Sequence, residues 1–246
     1  MRITISSGHG LHVPGARGLI DEVTEARRVT NRVGEILRAA NVPVWVFHDD
    51  TSRNQRDNVN HIVAQHNAQQ RTLDVSIHFN AVAVTRDAGI GVEVLHHLSS
   101  AVGRNMAERV ARAISQASGL ILRHPQRGGA VPRSDIGFLN NTREPAILVE
   151  VCFVNSRTDV RLYQESFEQI CRAIAHEISE RRVPMNPTQT TPPMTPAAPP
   201  QPSDWAREAW EWGTANGITD GTNPQGAPTR EQVVQLLYNF YKNHVA

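Results

Sequence analysis

Eight of the chain's 15 prolines lie between positions 184 and 202, with Thr188, Thr190, Thr191, Thr195 and Gln201 among them. Proline fixes φ and has no backbone N–H to donate, so such a stretch extends neither a helix nor a sheet ladder and favours an extended, semi-stiff conformation. Residues 183–202 are therefore expected to be a linker. It divides the 246 residues into a domain over 1–182, long enough for its own core, and a segment over 203–246 that is too short for a large one.

In the first part, apolar residues alternate between a period of two and a helical period. Short β-rich runs stand at 3–6, 44–47, 73–79, 90–95 and 146–151. Val23, Ala26, Val29, Val33, Ile36 and Leu37 recur at helical spacing, and further helices are expected over 58–67, 102–118 and 160–178, with Gly119 as a C-cap. Residues 119–144, rich in Gly, Pro and Arg, are expected to be irregular. The rhythm predicts an α/β fold. Its core is a mostly parallel central sheet flanked by helices, followed after the linker by a small helical hairpin.

Charge and cysteine content narrow the function classes. Twenty-five Lys and Arg against 24 Asp and Glu leave a formal charge of +1, which offers no bulk field for steering nucleic acid. Cys152 and Cys171 are too few for a disulfide framework. No apolar run approaches the ~20 residues of a membrane span, so membrane insertion is not expected. The start, Met1-Arg2-Ile3-Thr4-Ile5-Ser6-Ser7-Gly8-His9, reads as a strand entering a loop rather than an export signal. The chain is therefore expected to be made in the cytoplasm.

Chemistry-bearing residues gather where strands end, the usual place for sites in open α/β sheets. The first strand runs into Ser7-Gly8-His9-Gly10, and His78 sits near the end of Asp74-Val75-Ser76-Ile77-His78-Phe79-Asn80. Glu150 interrupts the apolar run Ile147-Leu148-Val149-Glu150-Val151, where an ionised carboxylate costs several kcal/mol unless paired or metal-linked. Two histidines and a carboxylate are a common ligand set for catalytic zinc, and a further carboxylate can serve as general base. Glu22 and Glu25 both open the first helix and are three apart on one face, so either can be the ligand.

With these motifs in place, residues 1–180 resemble the zinc-dependent N-acetylmuramoyl-L-alanine amidases of phage endolysins and bacterial autolysins. The resemblance rests on Ser7-Gly8-His9-Gly10, Glu25-Ala26-Arg27-Arg28-Val29, Ser76-Ile77-His78-Phe79-Asn80-Ala81 and Val149-Glu150-Val151-Cys152-Phe153-Val154-Asn155. Gly91-Val92-Glu93-Val94 and Phe138-Leu139-Asn140 support it. It implies that His9, Glu25 and His78 hold one Zn²⁺ and that Glu150 is catalytic. The implied reaction is hydrolysis of the peptidoglycan amide between the lactyl group of N-acetylmuramic acid and L-alanine. Asn80 and Arg133 are expected to touch substrate. Where the family usually has Thr-Arg after the second strand, this chain has His48-Asp49, read as a surface-loop change. Without an export signal, the resemblance implies an endolysin that reaches the wall at host lysis. A non-catalytic wall-binding protein on the same fold, or a zinc peptidase of the stem, are the alternatives.

The segment 203–246 resembles a single S-layer homology repeat through Trp205-Ala206, Gly217-Ile218-Thr219-Asp220-Gly221 and Thr229-Arg230-Glu231-Gln232. That resemblance implies attachment to a secondary cell-wall polymer. Such repeats normally come in threes, so self-association into a homo-oligomer is the other expected role.

Overall fold

In the computed structural model, which describes residues 1–185, 207–216, 218–219 and 230–244, strands and helices alternate as the periodicity predicts. The order is β1 (Ile3–Ser7), α1 (Glu22–Ala39), β2 (Val44–Phe47), α2 (Gln55–Asn67), β3 (Leu73–Asn80), β4 (Glu93–His97), α3 (Ala101–Ser118), β5 (Ala130–Arg133), α4 (Gly137–Asn141), β6 (Ala146–Phe153), α5 (Arg157–Glu165) and α6 (Phe167–Ile178). The six strands form one sheet in the order β2-β1-β3-β6-β4-β5. All neighbours are parallel except β4 and β6. This is the expected α/β architecture with a mostly parallel sheet.

The pleat sorts the side chains. Ile3 and Ile5 of β1, Val75, Ile77 and Phe79 of β3, and Ile147, Val149 and Val151 of β6 join one core with the apolar faces of α1, α3 and α6. Leu95, Ala146 and Leu148 point to the other side, where Ile62 and Val63 of α2 and Phe138 and Leu139 of α4 form a smaller core. Each fully buried Val, Leu or Ile contributes about 1.5–3 kcal/mol. Asp21 caps α1 by accepting from Thr24 N at 3.0 Å. Gly119 closes α3 at φ 77°, the left-handed conformation glycine adopts without strain. A register shift between β3 and β6 beyond His78 and Glu150 turns Cys152 into the larger core, where burial pushes its thiol pKa well up.

Two elements differ from expectation. Residues 119–144 are not wholly irregular but hold β5 and α4. β5 is a four-residue edge strand containing Pro132, and a proline within a run argues against a strand except at an edge. The single helix expected over 160–178 is two helices, broken at Ser166, whose φ −116° and ψ 20° leave the helical region.

Two polar networks brace the sheet. His66 Nδ1 lies 2.8 Å from Asp74 Oδ1 and Nε2 2.9 Å from Ser6 Oγ, with all three residues at 0% exposure. A carboxylate can only accept, so Nδ1–H donates to Asp74 and Nε2 accepts from the Ser6 hydroxyl. Burial lowers the His66 pKa, outweighing the Asp74 charge. Arg71 also donates to Asp74 through Nε and Nη2. The second network corrects the reading of His48-Asp49 as a surface change. Asp49 is fully buried and accepts from Thr51 N, Ser52 N and Asn58 Nδ2. Burial alone would raise its pKa, but these hydrogen bonds win and hold it below the usual carboxylate range.

His48 contacts Ser7 Oγ and Asn31 Oδ1, each at 2.9 Å. Burial first, then the Arg27 cation, lowers its pKa from 6.5 to about 4. The unfolded ring takes a proton below 6.5, whereas the folded ring takes one only near 4, so stability falls as pH drops through that window. Thermal unfolding between pH 7 and 4 is expected to show this slope, and His48→Gln is expected to reduce it, leaving the share of other histidines whose pKa burial also lowers, His66 and His9 among them.

The chain divides into two compact units, Met1–Gln189 and Thr190–Ala246. Val183, the first residue of the expected linker, is buried in the larger core; residues 186–206, most of that linker, lie outside the described residues. The second unit contains α7 (Arg207–Ala215) and α8 (Arg230–His244), with the Trp212 and Phe240 rings 6.5 Å apart. Trp205 and Thr229, quoted for the repeat resemblance, lie outside the described residues. No described helix is long and apolar enough to cross a membrane.

Candidate active site

His78 and Asn80 of β3, Glu150 of β6 and Glu93 of β4 occupy the face opposite the larger core, by the same alternation that sends Ile77, Val149 and Val94 into it. In register, His78 stands beside Glu150, and Glu150 stands opposite Glu93. A row of three titratable side chains thus crosses three adjacent strands. They line a cleft of about 480 Å³ with Gly8, Gln55, Val59, Arg133 and Phe138.

His9, in the loop after β1, meets this row. Its Nε2 is 3.6 Å from Glu22 Oε2, while Glu22 Oε1 is 3.0 Å from His78 Nδ1. One ligand atom from each of His9, Glu22 and His78 lies within 4.8 Å of the others. The Glu22 carboxylate is pinned by two backbone donors, Phe79 N at 3.0 Å and Ala16 N at 2.5 Å. Burial alone would raise its pKa, but His78 outweighs this and lowers it. Burial lowers the His9 pKa. It also pulls on His78, yet the hydrogen bond and charge of Glu22 prevail and raise that pKa.

The expected ligand Glu25 is elsewhere. Its Oε2 accepts from the Tyr163 hydroxyl and from Arg28 Nη1, each at 2.6 Å, beneath α1. Helical side chains lean toward the helix N-terminus, so Glu22, the first residue of α1, reaches back to β3. Glu25, one turn on, reaches the α5 side instead. The structure therefore corrects Glu25 to Glu22 in the cluster and keeps His9 and His78.

Two glycines leave room for the cluster. A methyl on Gly8 would stand 1.7 Å from His78 Nε2, and one on Gly15 would stand 2.5 Å from Glu22 Oε2. His9 Nδ1 is buried and has no hydrogen-bond partner among the described residues. Two imidazoles and a carboxylate at this spacing, in a hollow kept clear by glycine, fit a divalent metal. Gly8→Ala is expected to displace the His78 ring and abolish metal binding, read by elemental analysis, while circular dichroism stays unchanged.

Glu150 is the desolvated acid of the site. Its Oε2 is buried without a partner among the described residues. Burial first, then the charges of Glu22 and Glu93, lift its pKa to about 7 against the opposing pull of His78 and Arg133. Sequence reasoning gives Glu93 no role, although it interrupts the apolar run Val92-Glu93-Val94-Leu95 as Glu150 interrupts its own. It accepts from Asn80 Nδ2 at 2.9 Å and from Arg123 Nε at 2.8 Å, and so fixes the Asn80 amide at the cleft. Arg133 also lines the cleft, paired with Asp135. His12, His96 and His97 do not join the metal cluster.

A mostly parallel α/β sheet that brings a His/Glu/His cluster beside a desolvated carboxylate at its strand ends is the layout of a hydrolase domain. More particularly, residues 3–180 match the model of the N-acetylmuramoyl-L-alanine amidase family, and the chain belongs to that family.

It is 30% identical over 201 residues to an uncharacterised 38.4 kDa protein of Clostridium perfringens, covering 78% of this chain and 57% of that one. A second uncharacterised protein, from C. perfringens strain 13 / Type A, is 29% identical over 190 residues, covering 76% and 54%. The chain thus spans about half the length of the curated relatives it matches.

Among solved structures, the catalytic domain of an endolysin targeting Clostridia Difficile has a TM-score of 0.63 at 20% identity, covering 74% of this chain and 98% of that one. The N-acetylmuramoyl-L-alanine amidase AmiC2 of Nostoc punctiforme has a TM-score of 0.59 at 26% identity, covering 73% and 96%.

Proposed function

We propose that the chain is a zinc-dependent peptidoglycan hydrolase that cleaves the amide between the lactyl group of N-acetylmuramic acid and L-alanine. The observation that carries this reading is the His9–Glu22–His78 cluster beside Glu150, in an open cleft of an amidase-family domain. His9, Glu22 and His78 would hold the ion. When bound, zinc supplies Lewis acidity that polarises the scissile carbonyl and acidifies a water molecule.

The chain's own groups do the rest. A carboxyl with a pKa near 7 exchanges protons readily at neutral pH, so Glu150 takes the proton of the attacking water and delivers it to the leaving amine. Glu22, held by two backbone N–H groups, keeps both histidines oriented. Asn80, anchored by Glu93, offers its remaining amide N–H to the substrate. The cleft beyond takes the stem peptide. The 203–246 segment is read as the element that attaches the enzyme to wall polymer or to another copy of itself, and an endolysin's action on the wall accords with that arrangement.

The test is digestion of purified Gram-positive peptidoglycan, with and without a chelator, followed by mass analysis. Stem peptides with a free L-alanine N-terminus, lost with chelator and restored by zinc, are the expected products. Cleavage inside the stem would replace the reading with a peptidase. Intact walls that still sediment with the protein would leave only a binding function.

A further inference from the structure

Among the residues lining the cleft, Arg133 is the one permanent cation, facing Glu93, Glu150 and Asp135. The Glu93 charge is already engaged by Arg123. Arg133 is engaged differently. Its Nε donates to Asp135 Oδ1 at 2.7 Å and its Nη2 to Oδ2 at 2.6 Å, a two-pronged grip on a carboxylate. Both partners face solvent, with side chains 40% and 64% exposed. Water screens an exposed pair of this kind, and holding it costs side-chain freedom, so the grip is readily exchanged. The Arg133 charge acts on both Glu93 and Glu150, which places it within electrostatic range of the reacting end.

We propose that Arg133 is a carboxylate-recognition subsite, and that Asp135 sits where a stem-peptide carboxylate would bind it. The inference rests on the amidase reading. The carboxylate is the one carried by the second stem residue, one position beyond L-alanine. One extended residue spans about 3.3–3.6 Å, which keeps that group in the same cleft as the scissile amide. Without Arg133, a substrate anion would meet no permanent cation among the residues lining the cleft, and would face carboxylates, those of Glu93, Asp135 and Glu150 among them. A stem in which this carboxyl is amidated keeps one acceptor oxygen but loses the charge and sets an NH₂ against the second N–H of a fork that has only donors. The subsite therefore selects stems with a free acid at the second residue. Asp135 sets the threshold, because an incoming carboxylate must displace it.

Two synthetic probes test this: N-acetylmuramoyl-L-alanyl-D-isoglutamyl-L-lysine with the second-residue α-carboxyl free, and the same compound amidated there. Binding to the full-length Glu150→Gln protein is measured by calorimetry, and cleavage by the zinc-loaded parent is followed in parallel. The free acid is expected to bind about tenfold more tightly, the range of a charge-assisted pair discounted for exposure. Arg133→Ala should abolish the preference, and Arg133→Lys should keep only part of it, since a lysine lacks the fork. Asp135→Asn should raise affinity for the acid several-fold and leave the amide unchanged. Equal binding of both probes, or a preference that survives Arg133→Ala, overturns the subsite even if both are cleaved. An Arg133-dependent preference without cleavage supports the subsite and removes the amidase reading. Binding of neither probe overturns the subsite, whereas the amidase reading stands or falls on the wall digestion.

Discussion

Glu150→Gln is expected to lower the rate of wall hydrolysis about 10³-fold, within the 10²–10⁴ range of a positioned proton-transfer group. Zinc content should not change, because Glu150 is not in the ligand cluster. The isosteric amide keeps the shape of a buried side chain but cannot take up a proton. Turbidity clearance of purified walls gives the rate, and elemental analysis of the same preparation gives the metal. A variant that still clears walls at the parental rate would remove Glu150 from the mechanism. Loss of metal together with activity would instead make it part of the ligand set.

The second large effect separates two glutamates three residues apart. Removing a group that merely supports a metal ligand costs about 10–100-fold in affinity, so removing a ligand costs at least about 100-fold. Glu22→Gln is therefore expected to lose zinc and activity together. Glu25→Ala breaks hydrogen bonds to Tyr163 and Arg28 instead. It should lower stability by about 1–2 kcal/mol, and zinc affinity should be unchanged. Chelator competition and chemical denaturation of both variants read the two quantities independently. The reverse pattern would return Glu25 to the metal.

These glutamates show where the sequence stops being legible. Both fall on the same helical face, and periodicity cannot rank them. The choice depends on the first helical residue and on the height of His78 in the neighbouring strand, which is a matter of sheet register rather than of α1. His9, His78 and Glu150 are legible because each stands out locally: a histidine between glycines, a histidine at a strand end, a carboxylate in an apolar run. Glu93 carries the same signal as Glu150, but its place opposite Glu150 follows from the antiparallel pairing of β4 with β6, which no local pattern announces. The sheet itself is legible from alternation, since a strand buried on both faces has few other readings. Asp49 is easily misread because a polar pair after a strand usually faces water. Here three donors from the following loop and α2 fold over it. β5 is hidden by Pro132, which an edge position tolerates.

The buried Ser6–His66–Asp74 network has the hydroxyl, imidazole and carboxylate of a serine-hydrolase relay, in hydrogen-bonding order, yet no atom of it meets solvent. This network and the His9–Glu22–His78 cluster are histidine–carboxylate systems of similar chemistry. One is walled in by side chains. The other lies along the cleft, in a hollow that Gly8 and Gly15 keep free of side chains. A phosphonate that labels activated serines would find nothing to attack in the first, and a chelator would act only at the second. In this molecule, access rather than the residues themselves separates a cross-link from a reagent.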